Sequence, residues 1–337
     1  MKRSYFALGL LALLGAGCGS PTPAPAPIVP PPQAAVQPPV TQPVAQPAPT
    51  PAPSQTASPG ATVTYYCAGQ KTITATFYQG PPAPTPSAGQ PPTPTGSVKL
   101  ILNDGSSLTL AQTISADGAR YANADGSFVF WNKGNGLLVL QNNVAKDYIG
   151  CMMAAAAPAD GSLPQVYVNA TAGFSLRLPS LLPASSKADG YKVDETYAYQ
   201  ELGPGKDIKG VKFTIPASLA KGTNLSSDSY LSVEQIPGGK DCSASLFLAD
   251  PHAPAQTIDQ YGTTWSVASS TGAAAGNRYD ETVYAVLGTN PCVAVRYVVH
   301  YGVIDNYPPG TVQQFDEQAL QARFDQIRAT LMLAPGA

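Results

Sequence analysis

The residue best placed for binding chemistry is a lysine that follows an aromatic segment. Residues 128–131 read as a compact aromatic strand, and Lys133 comes shortly after it, immediately before Gly134. The glycine predicts a turn, so we expect the lysine to lie on a turn that the aromatic strand before it makes rigid. An ammonium group held in this way can pair with carboxylates through charge-assisted hydrogen bonds. Sequence position alone also allows a simpler interpretation, in which Lys133 is a solvated turn lysine.

A second segment carries four polar groups close together. Ser115, Asp117, Arg120 and Tyr121 supply a hydroxyl, a carboxylate, a guanidinium and a phenol. Asp117 precedes a glycine, and Asp-Gly is typical of tight hairpin turns, so a turn role is the favoured interpretation of this aspartate. Arg120 has two alternatives, which are an ion pair with Asp117 or Asp125 and contact with a binding partner. The segment is therefore a second candidate for binding.

Catalytic motifs are absent from the sequence. Its only histidines are His252 and His300, and it has no Gly-x-Ser-x-Gly elbow, His-Glu-x-x-His helix or glycine-rich phosphate loop. His300 falls within a mostly apolar strand, which favours a structural histidine, and His252 falls in a loop. The acidic pairs at residues 280–281 and 316–317 are adjacent in sequence, so their side chains diverge. We expect no enzymatic activity, no cofactor and no metal site.

The five cysteines indicate an oxidising compartment. Cys18 stands at the end of the N-terminal apolar segment, and the other four fall two and two into the regions that look folded. Their separation predicts two disulfides, Cys67–Cys151 and Cys242–Cys292, out of three possible pairings. Loops of these sizes would stabilise each region by roughly 4 kcal/mol in the chain-entropy model. The alternative is that the four are free, buried thiols.

The first sixty residues predict export and anchoring. Residues 1–3 carry the positive charge and residues 5–14 are apolar, which is the pattern of a signal peptide covering residues 1–17. The small residues that end at Cys18 resemble a bacterial lipobox, so we expect Cys18 to carry the acyl chains of a membrane anchor. Gly19 follows it, and resemblance to Gram-negative lipoproteins then favours the outer membrane, with the protein facing the periplasm. Residues 18–60 comprise the lipidated cysteine and a proline-rich, semi-rigid tether.

Charge gives no indication of a nucleic-acid partner. Charged residues make up 12 % of the 337-residue chain, its formal net charge is −2, and no residue between 4 and 70 is charged. No basic block, basic helical face or zinc-finger spacing is present. The chain length allows about two domains.

The remaining sequence predicts an all-β region followed by an α+β region. Residues 61–157 contain short alternating strands separated by Asp-Gly turns and show no helical periodicity, which predicts a small antiparallel barrel or sandwich. Residues 162–337 contain further alternating strands and end in an amphipathic helix. Its apolar stripe consists of Leu320, Phe324, Ile327 and Leu331. This second region is expected to be an antiparallel sheet with a few helices. Gly-Phe-Ser-Leu at residues 173–176 and the closing helix resemble the PsbP/Mog1-like fold.

Four short motifs carry a resemblance to a known family. In chain order they are Tyr-Cys-Ala-Gly at residues 66–69, Ser-Ala-Asp-Gly-Ala-Arg-Tyr at residues 115–121, Trp-Asn-Lys-Gly at residues 131–134 and Cys151. Their order and spacing resemble those of the membrane-bound lysozyme inhibitors of c-type lysozyme. The resemblance covers about residues 61–155.

The resemblance implies a fold, a partner and residue roles. It implies an eight-stranded antiparallel barrel whose ends are joined by a disulfide, and a c-type lysozyme blocked by loops inserted into its cleft. Carried over to this sequence, Lys133 is the inserted cation and Ser115 is the serine that hydrogen-bonds beside it. Tyr121 and Trp131 are expected to support the loops.

Three departures from the family pattern weaken the transfer of its function, and one of them, Asp117, favours an alternative. Asp117 stands where the family usually has serine, the stretch at residues 121–130 is about two residues longer than usual, and residues 81–96 insert a proline-rich loop. A carboxylate facing lysozyme carboxylates would lower affinity through like-charge repulsion. The alternative is a structural or scaffolding envelope lipoprotein whose barrel binds another protein or a glycan.

Overall fold

The computed structural model describes residues 59–86, 88–200, 208–237 and 241–334. The predicted signal peptide, the Cys18 anchor and nearly all of the tether lie outside the described residues. Twenty strands and two α-helices occur in the described part of the chain. Among the described residues, no helix combines the length and the apolar character needed to span a bilayer.

The first eight strands form a closed antiparallel barrel. In chain order they are β1 (Pro59–Cys67), β2 (Lys71–Tyr78), β3 (Ser97–Leu102), β4 (Ser107–Thr113), β5 (Ala119–Ala122), β6 (Phe128–Lys133), β7 (Gly136–Gln141) and β8 (Cys151–Met153). Each strand pairs with the next, and β8 closes the ring by pairing with β1. The predicted all-β region is therefore a barrel rather than a sandwich.

Alternation along the strands places the apolar residues inside the barrel. Tyr65, Ile73, Leu100 and Phe130 are fully buried in its core, as the period of two predicts. Cys67 bonds to Cys151 and joins β1 to β8, which is the pairing expected from the sequence.

The C-terminal part contains two antiparallel layers and a helix. A three-stranded sheet is formed by β9 (Gln165–Asn169), β10 (Phe174–Leu178) and β20 (Met332–Leu333). The larger sheet contains β11 (Leu182–Pro183), β12 (Lys192–Asp194), β13 (Ala198–Tyr199), β14 (Ile208–Thr214), β15 (Tyr230–Ile236), β16 (Gln256–Gln260), β17 (Thr263–Ala274), β18 (Asn277–Val286) and β19 (Cys292–Gly302). One short parallel pair, β11 with β12, interrupts the antiparallel pattern. The single-turn helix α1 (Ala217–Ala220) lies between β14 and β15, and α2 (Glu317–Arg328) precedes β20.

Helix α2 packs on the larger sheet through three residues of the predicted stripe, whereas the fourth, Leu331, lies beyond the last helical residue, Arg328. Leu320, Phe324 and Ile327 are buried in the core that they share with β10, β14, β15 and β19. Asp316 caps the helix, since its side chain accepts a hydrogen bond from the backbone amide of Ala319. The α+β prediction is confirmed, although the region is mostly β.

The opposite face of the larger sheet is covered by a short segment around Ala244–Phe247. Cys242 forms a disulfide with Cys292 at the start of β19, as the sequence predicts, and so ties this segment to the sheet. Ala244 and Phe247, the two ends of this segment, are fully buried against the sheet. The sheet is thus buried on both faces near β19.

Two strand predictions in this part differ from the structure. The single strand expected across residues 192–199 is divided into β12 and β13, because a turn held by Asp194 and Thr196 interrupts it. The hairpin of β16 and β17 was not predicted from the sequence. Its residues are mostly small or polar, so they lack the alternation of large apolar groups that marks a strand.

The barrel contacts the C-terminal part directly. Residues 154–164, between β8 and β9, form neither helix nor strand. Ser175 on β10 donates a hydrogen bond to the carbonyl of Met153 at 2.9 Å, and Arg177 donates to the carbonyl of Ala155 at 2.6 Å. The Arg177 guanidinium also lies 5.9 Å from the ring centre of Tyr66. The two parts therefore share a fixed junction.

Candidate functional site

The candidate site is formed by two neighbouring turns at one end of the barrel. The first turn, residues 114–118, joins β4 to β5, and the second, around Gly134, joins β6 to β7. Gly118 brings them together. Its φ is +62°, and a Cβ atom on it would lie 2.1 Å from the carbonyl oxygen of Asn132. Only glycine lets the first turn approach β6 this closely.

Lys133 and Asp117 form an ion pair across these two turns. The Nζ atom of Lys133 lies 3.3 Å from Oδ2 of Asp117, and the side chains are 38 % and 63 % exposed. The same ammonium lies 3.9 Å from the ring centre of Trp131, a cation–π contact. Lys133 is therefore held by two partners and still reaches solvent.

Trp131 also fixes the first turn. Its indole Nε1 donates a hydrogen bond of 2.9 Å to the carbonyl oxygen of Asp117. The Ser115 hydroxyl donates to the same carbonyl oxygen. The proton of Ser115 is thus used within its own turn, and Asp117 instead presents the exposed oxygen atoms beside the lysine. The structure brings the sequence-predicted residues Ser115, Asp117 and Lys133 together.

Arg120 and Tyr121 do not face the tip of these turns. Arg120 donates a hydrogen bond of 2.8 Å from Nη1 to Oγ1 of Thr113, and among the described residues it forms no ion pair with Asp117 or Asp125. Tyr121 is only 6 % exposed and packs against Phe130 in the barrel core. Burial raises the pKa of its phenol, which favours the neutral form. Arg120 therefore contacts β4, and Tyr121 belongs to the barrel core.

Comparison with protein families identifies the barrel. Residues 65–147 match the family of membrane-bound lysozyme-inhibitors of c-type lysozyme. The resemblance inferred from the sequence motifs is therefore confirmed for this segment, which runs from β1 to the residues before β8. The family is one of inhibitors, not of enzymes. No curated protein and no solved structure matches the chain, so the PsbP/Mog1-like resemblance of the C-terminal part stays a prediction.

The inhibitor-like barrel carries its lysine turn close to the C-terminal part. Asn135, two residues after Lys133, donates a hydrogen bond of 3.3 Å to the carbonyl of Leu333 on β20. The carbonyl of Asn135 accepts from the Met153 amide at 2.8 Å. Sequence reasoning missed Asn135, because its partner lies almost 200 residues away and leaves no local pattern. The turn that carries Lys133 is thus braced from outside the inhibitor-like barrel.

The two histidines of the C-terminal part lie in different surroundings. Nδ1 of His300 lies 2.8 Å from Oδ1 of Asp228, and its ring stacks on Tyr279 with the ring centres 4.4 Å apart. Its Nε2 is buried and has no hydrogen-bond partner in the part of the chain that the structure describes. His252 lies on an exposed loop, where its amide donates to Asp250.

A buried charge cluster in the larger sheet has a structural role. Arg296 is fully buried and donates to both carboxylate oxygens of Glu234, each at 2.9 Å. It also donates to Glu281 at 2.6 Å and to the carbonyl of Phe247. These charges satisfy one another and tie the sheet to the segment that covers it. The exposed pair at Lys133 therefore remains the candidate for partner binding.

Proposed function

We propose that this protein binds a c-type lysozyme and blocks its catalytic cleft with the turns that carry Lys133 and Asp117. The observation that supports this most directly is the position of Lys133, an exposed cation on a braced turn of the segment that matches the inhibitor family. A retaining glycosidase such as lysozyme uses two carboxyl groups about 5–5.5 Å apart. An ammonium inserted between them would occupy the site of the sugar.

The rigidity of the lysine favours this mode of binding. Trp131 lies beneath the ammonium, and Asn135 holds the far side of the turn. A side chain that is ordered before binding loses less conformational entropy when the partner arrives. The Lys133 side chain therefore loses less conformational entropy when it enters a cleft than an unrestrained lysine would.

The ion pair with Asp117 does not prevent the lysine from binding a second carboxylate. An exposed ion pair contributes only about 0–1 kcal/mol, because water screens it. A charge-assisted hydrogen bond in a cleft that excludes water contributes roughly 1.5–3 kcal/mol. Exchange or sharing of the Lys133 ammonium therefore favours the complex.

We also propose that the protein is held at the bacterial envelope by acyl chains on Cys18. The apolar N-terminal segment and the lipobox-like residues before Cys18 support this anchor. The proline-rich residues 18–60 would then keep the folded part at a distance from the membrane, most consistently on the periplasmic side of the outer membrane.

Asp117 is the observation that favours a different function. If its carboxylate opposes the lysozyme carboxylates, the barrel would keep the inhibitor fold and bind another envelope protein or a glycan. The two functions differ in whether lysozyme is inhibited at all.

The test is a titration of c-type lysozyme activity with the full chain, purified in a mild detergent and with its disulfides formed. We expect stoichiometric inhibition, weakened by about tenfold to a hundredfold in Lys133→Ala, which corresponds to one lost charge-assisted hydrogen bond. Lys99→Ala is the matched control, since Lys99 is an exposed lysine on β3 of the same barrel. Absence of inhibition by the folded chain would refute the lysozyme function and favour the scaffolding alternative.

A further inference from the structure

We infer that Asp117 recognises lysozyme directly, with its carboxylate accepting a hydrogen bond from the protonated catalytic acid while Lys133 pairs with the ionised second carboxylate. This inference rests on the proposed function and deepens it. It assigns to Asp117 a specificity role in place of the repulsion that its charge alone would predict.

The geometry places an anion and a cation side by side at one tip. The Lys133 ammonium and the Asp117 carboxylate are 3.3 Å apart, and both remain partly exposed. The indole of Trp131 contacts the ammonium and donates a hydrogen bond to the backbone carbonyl of Asp117, so one side chain positions both residues. The two turns therefore present charges of opposite sign side by side.

The lysozyme cleft offers a matching pair of groups. Its two carboxyl groups stand about 5–5.5 Å apart and differ in protonation. The general acid lies in an apolar pocket and titrates near pH 6, whereas the second carboxyl stays ionised. A protonated acid is a hydrogen-bond donor and an ionised carboxylate is an acceptor. An anion next to a cation complements this pair, whereas a lone cation satisfies only one of its members.

Few other charges act on Asp117. Lys133 on β6 is the only charged side chain that pairs with it among the described residues. Arg120, the charged residue of β5, donates to Thr113 on β4. The carboxylate oxygens of Asp117 are consequently left facing solvent and any protein that approaches the tip.

The arrangement links binding to the protonation of lysozyme. Asp117 favours the protonated acid, so binding raises the pKa of that acid and takes up a proton at neutral pH. Affinity is then fully present below pH ~6 and is lost as the pH rises through the pKa of the acid in the complex, by up to about tenfold per pH unit. Above that range, two anions face each other.

The experiment measures the dissociation constant of the full chain with c-type lysozyme at pH 5 and pH 8, by calorimetry in two buffers that differ in ionisation enthalpy. We expect the dissociation constant to rise at least tenfold between pH 5 and pH 8, with proton uptake on binding at pH 7. Asp117→Asn should flatten this rise to below about threefold. Asp104→Asn, which changes a turn aspartate between β3 and β4, should leave the rise unchanged.

The outcomes separate the inference from the proposed function. Lysozyme binding with the same pH dependence in Asp117→Asn as in the unchanged protein would overturn the role of Asp117 and leave the inhibitor function standing. Tighter binding by Asp117→Asn at pH 5 would show that the carboxylate repels the cleft, and would also overturn it. Absence of binding at every pH would overturn both.

Discussion

The indole Nε1 of Trp131 lies 2.9 Å from the carbonyl oxygen of Asp117 and donates a hydrogen bond to it. The same indole ring lies beneath the Lys133 ammonium. One side chain on β6 therefore positions both charges of the candidate site, although these charges belong to different turns. The arrangement of the candidate site therefore depends on Trp131.

Substitution of Trp131 tests this dependence. Trp131→Phe keeps an aromatic ring near Lys133 and removes the N–H that holds Asp117. We expect the free energy of unfolding to fall by about 0.5–1.5 kcal/mol, the usual contribution of one hydrogen bond, and lysozyme inhibition to weaken several-fold. Denaturant unfolding and inhibition titrations measure the two effects. Unchanged inhibition together with reduced stability would mean that the tip does not need this brace.

Alanine substitutions at Gly118 and Gly126 form a matched pair that tests the close approach of the two turns. Both have positive φ, +62° and +70°, but only at Gly118 would a Cβ atom meet the backbone of β6. Gly126→Ala should lower the free energy of unfolding by about 1 kcal/mol through backbone strain alone. Gly118→Ala should cost clearly more, because the turn must also move away from Asn132. Equal denaturation midpoints for the two variants would contradict the close approach of the turns.

The buried phenol of Tyr191 leads us to predict a loss of stability of the C-terminal core at high pH. Its side chain is buried, and its hydroxyl has no hydrogen-bond partner among the described residues. Burial raises the pKa of Tyr191 from 10.0 to about 12. Between these two pKa values the unfolded chain releases the proton and the folded chain retains it. Stability is therefore present below pH 10 and is lost as the pH rises to about 12.

Tyr191→Phe should remove this loss and the unpaired hydroxyl. We expect the variant to gain about 1 kcal/mol in its free energy of unfolding at pH 7, since an unsatisfied polar group leaves the core. The difference from the unchanged protein should grow by about 2 kcal/mol between pH 10 and pH 12. Urea unfolding at several pH values measures both effects. A destabilised variant at pH 7 would indicate that the hydroxyl has a partner after all.

The barrel and the last helix were predictable from sequence because their information is local. Strand alternation places Tyr65 and Ile73 inside, and the stripe through Leu320 and Phe324 marks the buried face of α2. The cap at Asp316 adds a helix start that depends only on neighbouring residues. Such features are set within a few residues, so one sequence is enough to read them.

For the candidate site, the sequence predicted which residues belong to it but not the contacts between them. Sequence motifs selected Lys133 and Ser115, but the partners of Asp117 and Arg120 depend on how separate strands meet. The Lys133–Asp117 pair and the Arg120–Thr113 hydrogen bond follow from the register of β4, β5 and β6. Likewise, β17 is held as a strand by pairing with its neighbours rather than by its small and polar residues.

The disulfide between Cys67 and Cys151 also determines whether proteolytic cleavage of the barrel separates its fragments. The longest loop of the barrel follows β2, is rich in proline and lies largely exposed at residues 81–86 and 88–93. A cut in this loop divides the chain between the two cysteines, so that one falls on each fragment. The fragments stay covalently joined, and all strands from β3 to β8 remain on one of them. A nicked molecule thus keeps Lys133 covalently joined to the N-terminal part of the chain until a reductant opens the disulfide.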